Sequence, residues 1–392
     1  MSELFDDWVC EGTGHFEKFK TLLNTFDEES AVVRIMLKQM RLLFFCGECK
    51  NKDDITYYRF VMPSESENKN DTKSLYYKKD DFLKHYGSMM SELVENKSIL
   101  FDTKNKNFYF VSKYCMNSLM DQAGLRGEIQ IPTMYRNLYV SEKFANSNEE
   151  VQLVVRRDGV IAKAFGMFSS QYQYISQKIV LYIANSLKTD DYVLDTWHLS
   201  HMITQVDMIG KEEIQIDNNY FRTGFQIVTS DTGKISFSIY PTLYVDGKKV
   251  VLDISSKVQI PHKKPFQDDD IKMGNQAFDK LMEKVENIVE YGIYLFSQAE
   301  NTLRKESEEK LNIENKEEMI AYAATLIDAK EMSKILGKKS FVNSLKETIP
   351  EDVHNSSKAD AIFHIMRTSY KNPNDIISTL RYDHFKNIVN VS

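Results

Sequence analysis

The sequence predicts an α+β protein with a mainly antiparallel central sheet, flanking helices and a helical C-terminal region. Short runs of alternating apolar and polar residues fill the middle of the chain, and an Asp-Gly pair at Asp158 separates two apolar runs. Apolar residues at helical spacing fill the C-terminal part. We therefore expect an N-terminal α+β region at residues 1–105, a central α+β domain at 106–305 and a helical region at 306–392.

The N-terminal region is predicted to combine helices and strands around a flexible loop. A core-facing helix is predicted within DEESAVVRIMLKQMRLLFF, because acidic residues precede apolar residues at helical spacing, namely Val32, Ile35, Met36, Met40 and Leu43. The run ITYYRFVM predicts a strand. Residues 64–74 predict a flexible loop, because their polar composition buries too little surface to order itself. A helix in DDFLKHYGSMMSELVENK and two strands in SILFDTKNKNFYFVS follow.

The central domain is predicted to alternate helices with short strands. KYCMNSLMDQAGL predicts a short helix, and EVQLVVRRDGVIAKAF predicts a β-hairpin around Asp158 and Gly159. A helix in QKIVLYIANSL leads to the strands YVLDTWHLS, MITQVDMI, YFRTGFQIVTSD, KISFSIYPTLYV and KKVVLDIS. A long helix is predicted from near Asp268 to about Arg304. Two amphipathic helices, EEMIAYAATLIDAKEMSKIL and KADAIFHIMRTSY, then form the C-terminal region.

Composition places the chain among ordinary globular proteins, with 42% hydrophobic and 27% charged residues over 392 positions. The sequence holds no apolar run of about 18 residues, and its acidic start lacks the regions of a signal peptide. We therefore expect a cytoplasmic protein of a bacterial host cell, with no membrane partner. The net charge of −7 argues against a protein that coats duplex DNA nonspecifically. Cys46 and Cys49 form a Cys-x-x-C pair, which favours ordinary thiols but leaves metal binding open.

The order of segments from Phe108 to the long helix resembles the phage- and plasmid-encoded proteins of domain-of-unknown-function family nine-three-two. The resemblance lies in FYFVSKYCMNSLMDQAGL, QIPTMYRNLYVSEKFA, VVRRDGVIAKAF, a Ser-x-x-Tyr segment from Ser170 with its tyrosine at Tyr172 or Tyr174, TSDTGKISFSI, and His262 in IPHKKPF. It covers about residues 105–305. The chain departs from the family pattern at Thr232 and in the strand YPTLYVDGKKVVL. The resemblance implies an origin in a phage, plasmid or other mobile element.

Basic and aromatic residues cluster on and after the predicted hairpin. Cations that meet phosphates beside rings that stack bases are typical of single-strand binding surfaces. The candidate nucleic-acid-binding residues are Arg156, Arg157, Lys163, Tyr172, Tyr174 and Lys178, with His262, Lys263 and Lys264 in a second basic series that also holds Lys248, Lys249 and Lys257. The alternative is a purely structural hairpin, with tyrosines in the core and arginines in water.

Signals for enzyme chemistry are weaker. His198 and His201 lie three apart, a spacing that suits a metal only on a helix. Asp268, Asp269 and Asp270 offer carboxylates for Mg²⁺, although acidic residues at a helix start are also explained by the helix dipole. We therefore predict no catalytic residue, no metal and no cofactor.

Three functions follow, in order of preference. The first is a non-enzymatic protein of a phage or mobile element that binds or anneals single-stranded nucleic acid in replication or recombination, with a homo-oligomer left open. The second is an inhibitor or sensor that binds a host or phage protein, for which the acidic charge, 21 tyrosines and 17 methionines would provide an adaptable surface. The third is a metal-dependent nuclease. The sequence identifies neither the nucleic acid nor the protein partner.

Overall fold

The computed structural model describes residues 4–64, 72–125, 131–172, 174–188, 191–230, 232–233, 235–252, 276–326 and 338–368. Within these ranges the chain is α+β, as predicted, and its strands form two sheets. The strands are β1 (Val9–Thr13), β2 (Ser30–Met36), β3 (Met40–Lys50), β4 (Thr56–Pro63), β5 (Thr72–Lys78), β6 (Ser98–Asp102), β7 (Phe108–Val111), β8 (Glu150–Asp158), β9 (Ile161–Ser169), β10 (Tyr192–Ser200), β11 (Thr204–Gly210), β12 (Ile214–Ile216), β13 (Asn219–Thr229), β14 (Ser238–Val245) and β15 (Lys248–Val251).

Helices flank both sheets and form the C-terminal region. They are α1 (Phe16–Glu28), α2 (Lys79–Tyr86), α3 (Met90–Asn96), α4 (Lys113–Gln122), α5 (Thr133–Ala145), α6 (Gln177–Leu187), α7 (Gln276–Glu308), α8 (Lys316–Thr325), α9 (Lys338–Thr348) and α10 (Lys358–Arg367). Ser112, Ser176, Asn315 and Ser357 cap helices by accepting a hydrogen bond from a backbone N–H of the first turn. The predicted hairpin, the helix QKIVLYIANSL and the helix KADAIFHIMRTSY are confirmed.

Sheet A is antiparallel in the order β1-β10-β11-β13-β14-β15, with β12 beside β13. One of its faces forms the largest core of the described chain, where Trp197 and Phe225 pack with apolar residues of α1, α6, α7 and α10. Successive side chains of a strand point to opposite faces. The polar residues that alternate with this core therefore lie together on the second face.

Sheet B follows the order β2-β8-β9-β7-β6-β3-β4-β5, with β7 and β9 parallel. Apolar residues of α4 and α5 cover one of its faces. On the other face, aromatic residues such as Phe60 and Phe108 pack against Phe82 of α2 and Leu93 of α3. Because both faces are covered, polar side chains in its central strands need partners inside the protein.

The hairpin of β8 and β9 lies where the two sheets meet. The Phe165 ring of β9 stacks on the His201 ring, which follows β10 of sheet A, with 3.9 Å between ring centroids. The Arg156 guanidinium of β8 lies 3.9 Å from the centre of the Phe26 ring of α1. The hairpin therefore belongs to the interior junction of the fold rather than to a projecting arm.

Several element predictions differ from the structure. The predicted helix within residues 27–45 is wrong, because the segment forms β2 and the start of β3, joined by a 3-10 turn at Leu37–Gln39. Its β-branched residues pair with β8, and this partly buried edge strand carries apolar residues on both faces, so it shows no clean alternation that distinguishes it from a helix. Helices α1, α5 and α9 were not predicted, and at α5 the Pro132 segment is predicted only as a connection.

The strands of each sheet come from both of the first two predicted regions. The boundary at residue 105 falls between β6 and β7, which pair with each other in sheet B. Strand β1 pairs with β10 in sheet A. Strand β5 begins at Thr72, inside the predicted loop at 64–74. In the described part of the chain, no helix combines the length and apolar character needed to cross a membrane.

Candidate functional site

The predicted nucleic-acid contacts on the hairpin are largely interior. Arg156 is 2% exposed, and its guanidinium lies over the Phe26 ring and donates a hydrogen bond to Ser30 Oγ. A guanidinium in this position stabilises the contact between β8 and α1 through a cation–π interaction. The expectation that Arg156 meets a phosphate in solvent is therefore wrong, because the side chain fills the junction between the sheets.

Lys163 is also a core residue. Its side chain is fully buried, and its Nζ forms ion pairs with Asp6 Oδ1 at 2.7 Å and with Glu92 of α3. Burial raises the pKa of Glu92, and the Lys163 ammonium opposes that rise. The expectation that Lys163 contacts nucleic acid is wrong as well, because its ammonium is the counter-charge for two shielded carboxylates.

The remaining hairpin candidates differ in their exposure. Tyr172 is buried and stacks on Phe168 with 3.9 Å between ring centroids, which corrects its prediction as a base-stacking ring. Tyr174 is half-buried. Lys178 Nζ lies 3.6 Å from Asp27 Oδ2, whereas Arg157 is exposed beside the turn. Lys257, His262, Lys263 and Lys264, together with the predicted nuclease residues Asp268, Asp269 and Asp270, lie outside the described residues.

A more promising site lies on the polar second face of sheet A. Its side chains surround two neighbouring cavities of about 430 Å³ each, and no residue of a described helix lines them. Thr196 of β10 lines both cavities. We call the two cavities together the polar cleft. Volumes of this size are typical of small-ligand sites.

The floor of the polar cleft is a hydrogen-bond network centred on Asp207 of β11. Its fully buried carboxylate accepts hydrogen bonds from five side chains, on four other strands and on β11 itself. They are Thr196 Oγ1 at 2.5 Å, Lys249 Nζ at 2.6 Å, Gln226 Nε2 at 2.9 Å, Gln205 Nε2 at 3.0 Å and the Tyr244 hydroxyl at 3.5 Å. A buried charge with this many partners fixes the rotamers around it. Asp207 therefore orients Lys249 and Thr196 toward the cavities.

The first cavity combines acidic, basic and aromatic side chains. Its lining is Asp195, Thr196, Ile209, Glu213, Tyr220, Phe221, Arg222, Tyr244, Asp246, Gly247 and Lys249. The Tyr244 ring lies directly over Gly224, where a Cβ would come within 2.6 Å of it. Burial and the charge of Asp207 raise the pKa of Tyr244, so its phenol stays a neutral donor. The cavity therefore has a flat aromatic wall beside charged groups.

The cations of the polar cleft already have acidic partners. Lys249 pairs with Asp207, Arg222 Nε lies 3.4 Å from Glu213 Oε1, and Arg367 pairs with Asp246. In the second cavity, His198 Nδ1 lies 2.6 Å from Glu11 Oε1. The cleft is therefore close to neutral or slightly acidic, in contrast to a surface built to hold many phosphates.

Asp195 differs from the other acidic residues of the cleft. It occupies a β-bulge, where the register between β10 and β11 shifts between Leu194 and Thr196. No hydrogen bond or ion pair to its carboxylate occurs from within the described ranges. Burial raises the pKa of Asp195, as does the charge of Asp207, while Lys249 and Arg222 oppose the rise. Bulges often direct a side chain into a binding site, and such a pKa shift in a cleft marks a candidate functional group.

Metal ligation finds little support among the described residues. His198 lies in the second cavity, whereas His201 is packed between Phe165, Phe26 and Trp8 at the junction of the sheets. Cys46 and Cys49 are free thiols on β3, and burial raises the pKa of Cys46. No group of three His, Cys, Asp or Glu side chains suited to a metal ion occurs within the described ranges.

The residues of the polar cleft were not among the sequence candidates, apart from Lys249 in the second basic series and His198 in the metal hypothesis. The available signal was the regular alternation of polar with core residues in consecutive strands, as in Gln205, Asp207 and Gln226. No family model, curated protein or solved structure matches this chain. The resemblance to family nine-three-two stays a prediction.

Proposed function

We propose that the protein is a non-enzymatic binder of single-stranded nucleic acid, and that the strand crosses the polar cleft of sheet A. The observation that carries the proposal is that Tyr220 and Arg222 lie on the same face of β13. They are alternate residues of the strand, they line the same cavity, and the side chains of both are more than one third exposed. An exposed aromatic ring on a sheet face stacks an unpaired base, and a neighbouring guanidinium meets its phosphate.

The charge of the cleft shapes the kind of binding that we propose. Because Lys249, Arg222 and Arg367 all pair with carboxylates, few cations are free to replace counterions on a nucleic acid. Stacking and base contacts must then supply most of the affinity. Each neutralised phosphate of a single strand contributes a slope of about −0.7 in log K against log salt. We therefore expect a shallow slope of about −1, corresponding to one or two phosphates.

The test is fluorescence anisotropy with labelled single strands and a matched duplex over a series of salt concentrations. The Tyr220→Ser variant should weaken single-strand binding by about 5- to 150-fold, since stacking on one base contributes about 1–3 kcal/mol. Tyr76→Ser is the matched control, because Tyr76 is 55% exposed on β5 of the other sheet. Equal effects of the two variants, or a steep salt slope, would contradict the cleft as the interface.

A second candidate function, protein binding, is supported by a separate surface on α7. Tyr291, Ile293 and Tyr294 are 38%, 49% and 56% exposed, and the two tyrosine rings stack on each other. Clustered exposed rings are enriched in protein interfaces. Capture of a host protein by the wild type, lost in Ile293→Glu and kept in Tyr76→Ser, would support this candidate; equal capture by all three would reject it.

A further inference from the structure

The bulge on β10 gives the first cavity one carboxylate that the protein itself does not use. Glu213 pairs with Arg222 and Asp246 pairs with Arg367, so the carboxylates around Asp195 have cationic partners. Asp195 is half-buried, lines the cavity, and forms no hydrogen bond or ion pair with side chains of the described ranges. A partly buried carboxylate gains free energy when a ligand donates hydrogen bonds to it. The ligand should therefore present N–H donors at this position.

The surroundings of Asp195 narrow the shape of that ligand. Lys249 and Arg222 line the same cavity as Asp195, and their charges oppose the rise in its pKa, so the carboxylate shares the cavity with two cationic donors. The rings of Tyr220 and Tyr244 line the same cavity and offer flat walls. The complementary ligand is planar and carries two adjacent donors followed by an acceptor along one edge.

We infer that the first cavity binds a guanine base, with the Asp195 carboxylate accepting from N1–H and the N2 amino group while Lys249 or Arg222 donates to O6. The inference rests on the proposed single-strand binding and names the base that the cleft selects. Among the common bases, guanine has this donor, donor, acceptor edge. Adenine and cytosine place a ring acceptor beside their amino group, and uracil and thymine have carbonyl oxygens on both sides of one N–H.

The test is isothermal titration calorimetry of the full chain with GMP, IMP, AMP, CMP and UMP. GMP should bind about 5- to 150-fold more tightly than AMP, CMP or UMP, the range of discrimination given by one bidentate base contact. IMP, which lacks the N2 amino group, should fall between them. Asp195→Asn should bring GMP to the level of AMP, because an amide provides one acceptor and places a donor against the base. Glu17→Gln on α1 removes the same charge outside the lining of the first cavity, on a side chain that is 79% exposed, and should keep the preference.

Oligonucleotides separate this inference from the proposed function. Tighter binding of a guanine-containing single strand than of a guanine-free one, lost in Asp195→Asn, supports both. A guanine preference among mononucleotides without any single-strand binding supports the guanine site and rejects the proposed function. Equal binding of all single strands, or a preference that survives Asp195→Asn, rejects the guanine site. Binding of methylguanidinium in place of GMP would also reject it. Unfolding curves of each variant verify that the fold is intact.

Discussion

The hairpin of sheet B and the polar cleft of sheet A contain the same kinds of side chain in opposite environments. On the hairpin, Arg156 and Lys163 are at most 2% exposed and their partners belong to the protein. In the cleft, Arg222 and Tyr220 are partly open to solvent and line a cavity. The comparison shows that a basic and aromatic pattern on strands does not by itself indicate a binding surface. The decisive factor is what packs against the second face.

The difference follows from how each sheet is covered. Ala162 and Ala164 of β9 face α4 and α5, so Lys163 and Phe165 on the other face meet the N-terminal segment, α3 and sheet A. In sheet A the helices pack on a single face among the described residues. Arg156 and Lys163 of sheet B therefore have interior partners, whereas the cations of the cleft retain contact with solvent.

The largest effect that we expect comes from Lys163→Met. The substitution leaves Asp6 and Glu92 shielded from water without their shared counter-charge, and losing one partner of a buried ion pair typically costs about 3–5 kcal/mol. Urea unfolding followed by circular dichroism measures the change in free energy. Lys104→Met, an exposed lysine in the turn between β6 and β7, should change it by less than about 0.5 kcal/mol. Similar small losses for both variants would mean that Lys163 is in contact with solvent, and would again make the hairpin a candidate nucleic-acid-binding surface.

The next effect concerns the floor of the cleft. Asp207→Asn should lower the free energy of unfolding by about 3 kcal/mol. The substitution removes the counter-charge of Lys249 and places the amide N–H₂ group, itself a donor, against side chains that also donate. Glu213→Gln at the rim is the matched variant. Its partly exposed pair with Arg222 should contribute about 0–1 kcal/mol. If the two variants lose the same stability, the Asp207 network is not the buried support that fixes the cleft.

Two adjacent arginines on β8 give a smaller and more direct contrast. Arg156→Met should lose about 2 kcal/mol, from the hydrogen bond to Ser30 and the contact with the Phe26 ring, whereas Arg157→Met should stay within about 0.5 kcal/mol. Urea unfolding of both variants gives the comparison in one experiment. Arg156→Met should change the single-strand affinity by less than about threefold, since the proposed interface lies on sheet A. A larger loss would return the hairpin to the interface.

The sequence predicted the parts of the fold that depend on local patterns. The Asp-Gly turn and the alternation around it correctly located the hairpin, and helical spacing located α6 and α10. Local patterns failed between Ser30 and Leu43, where β2 and β3 carry runs of apolar residues without clean alternation. Pairing partners chosen over a long sequence separation decide such cases, and they are not visible in a single sequence.

The site was harder to predict than the fold for the same reason. Tyr220, Asp207 and Lys249 lie on three strands, and their proximity follows from the order of strands in sheet A. The bulge at Asp195 depends on a register shift that its neighbours in the sequence do not encode. Burial of Arg156 and Lys163 likewise depends on the meeting of two sheets. Residue types were visible in the sequence, whereas the face of the sheet that each residue occupies was not.

The smallest effect distinguishes the paired Asp207 from Asp195, which has no such partner. Burial and the nearby Asp207 raise the pKa of Asp195 above its ordinary value of 3.8. Because the pKa of Asp195 is higher in the folded state than in the unfolded state, this group contributes its full stabilisation below pH 3.8. That contribution to the free energy of unfolding is lost as pH rises through the raised pKa. Asp195→Asn is neutral throughout, so its stability relative to wild type should increase with pH across this window and then level off. Urea unfolding between pH 3.5 and about 8 measures the difference, which should be smaller than the three effects above. A flat difference for Asp195→Asn would mean that its carboxylate already has a partner, and would leave the cleft without a free acceptor.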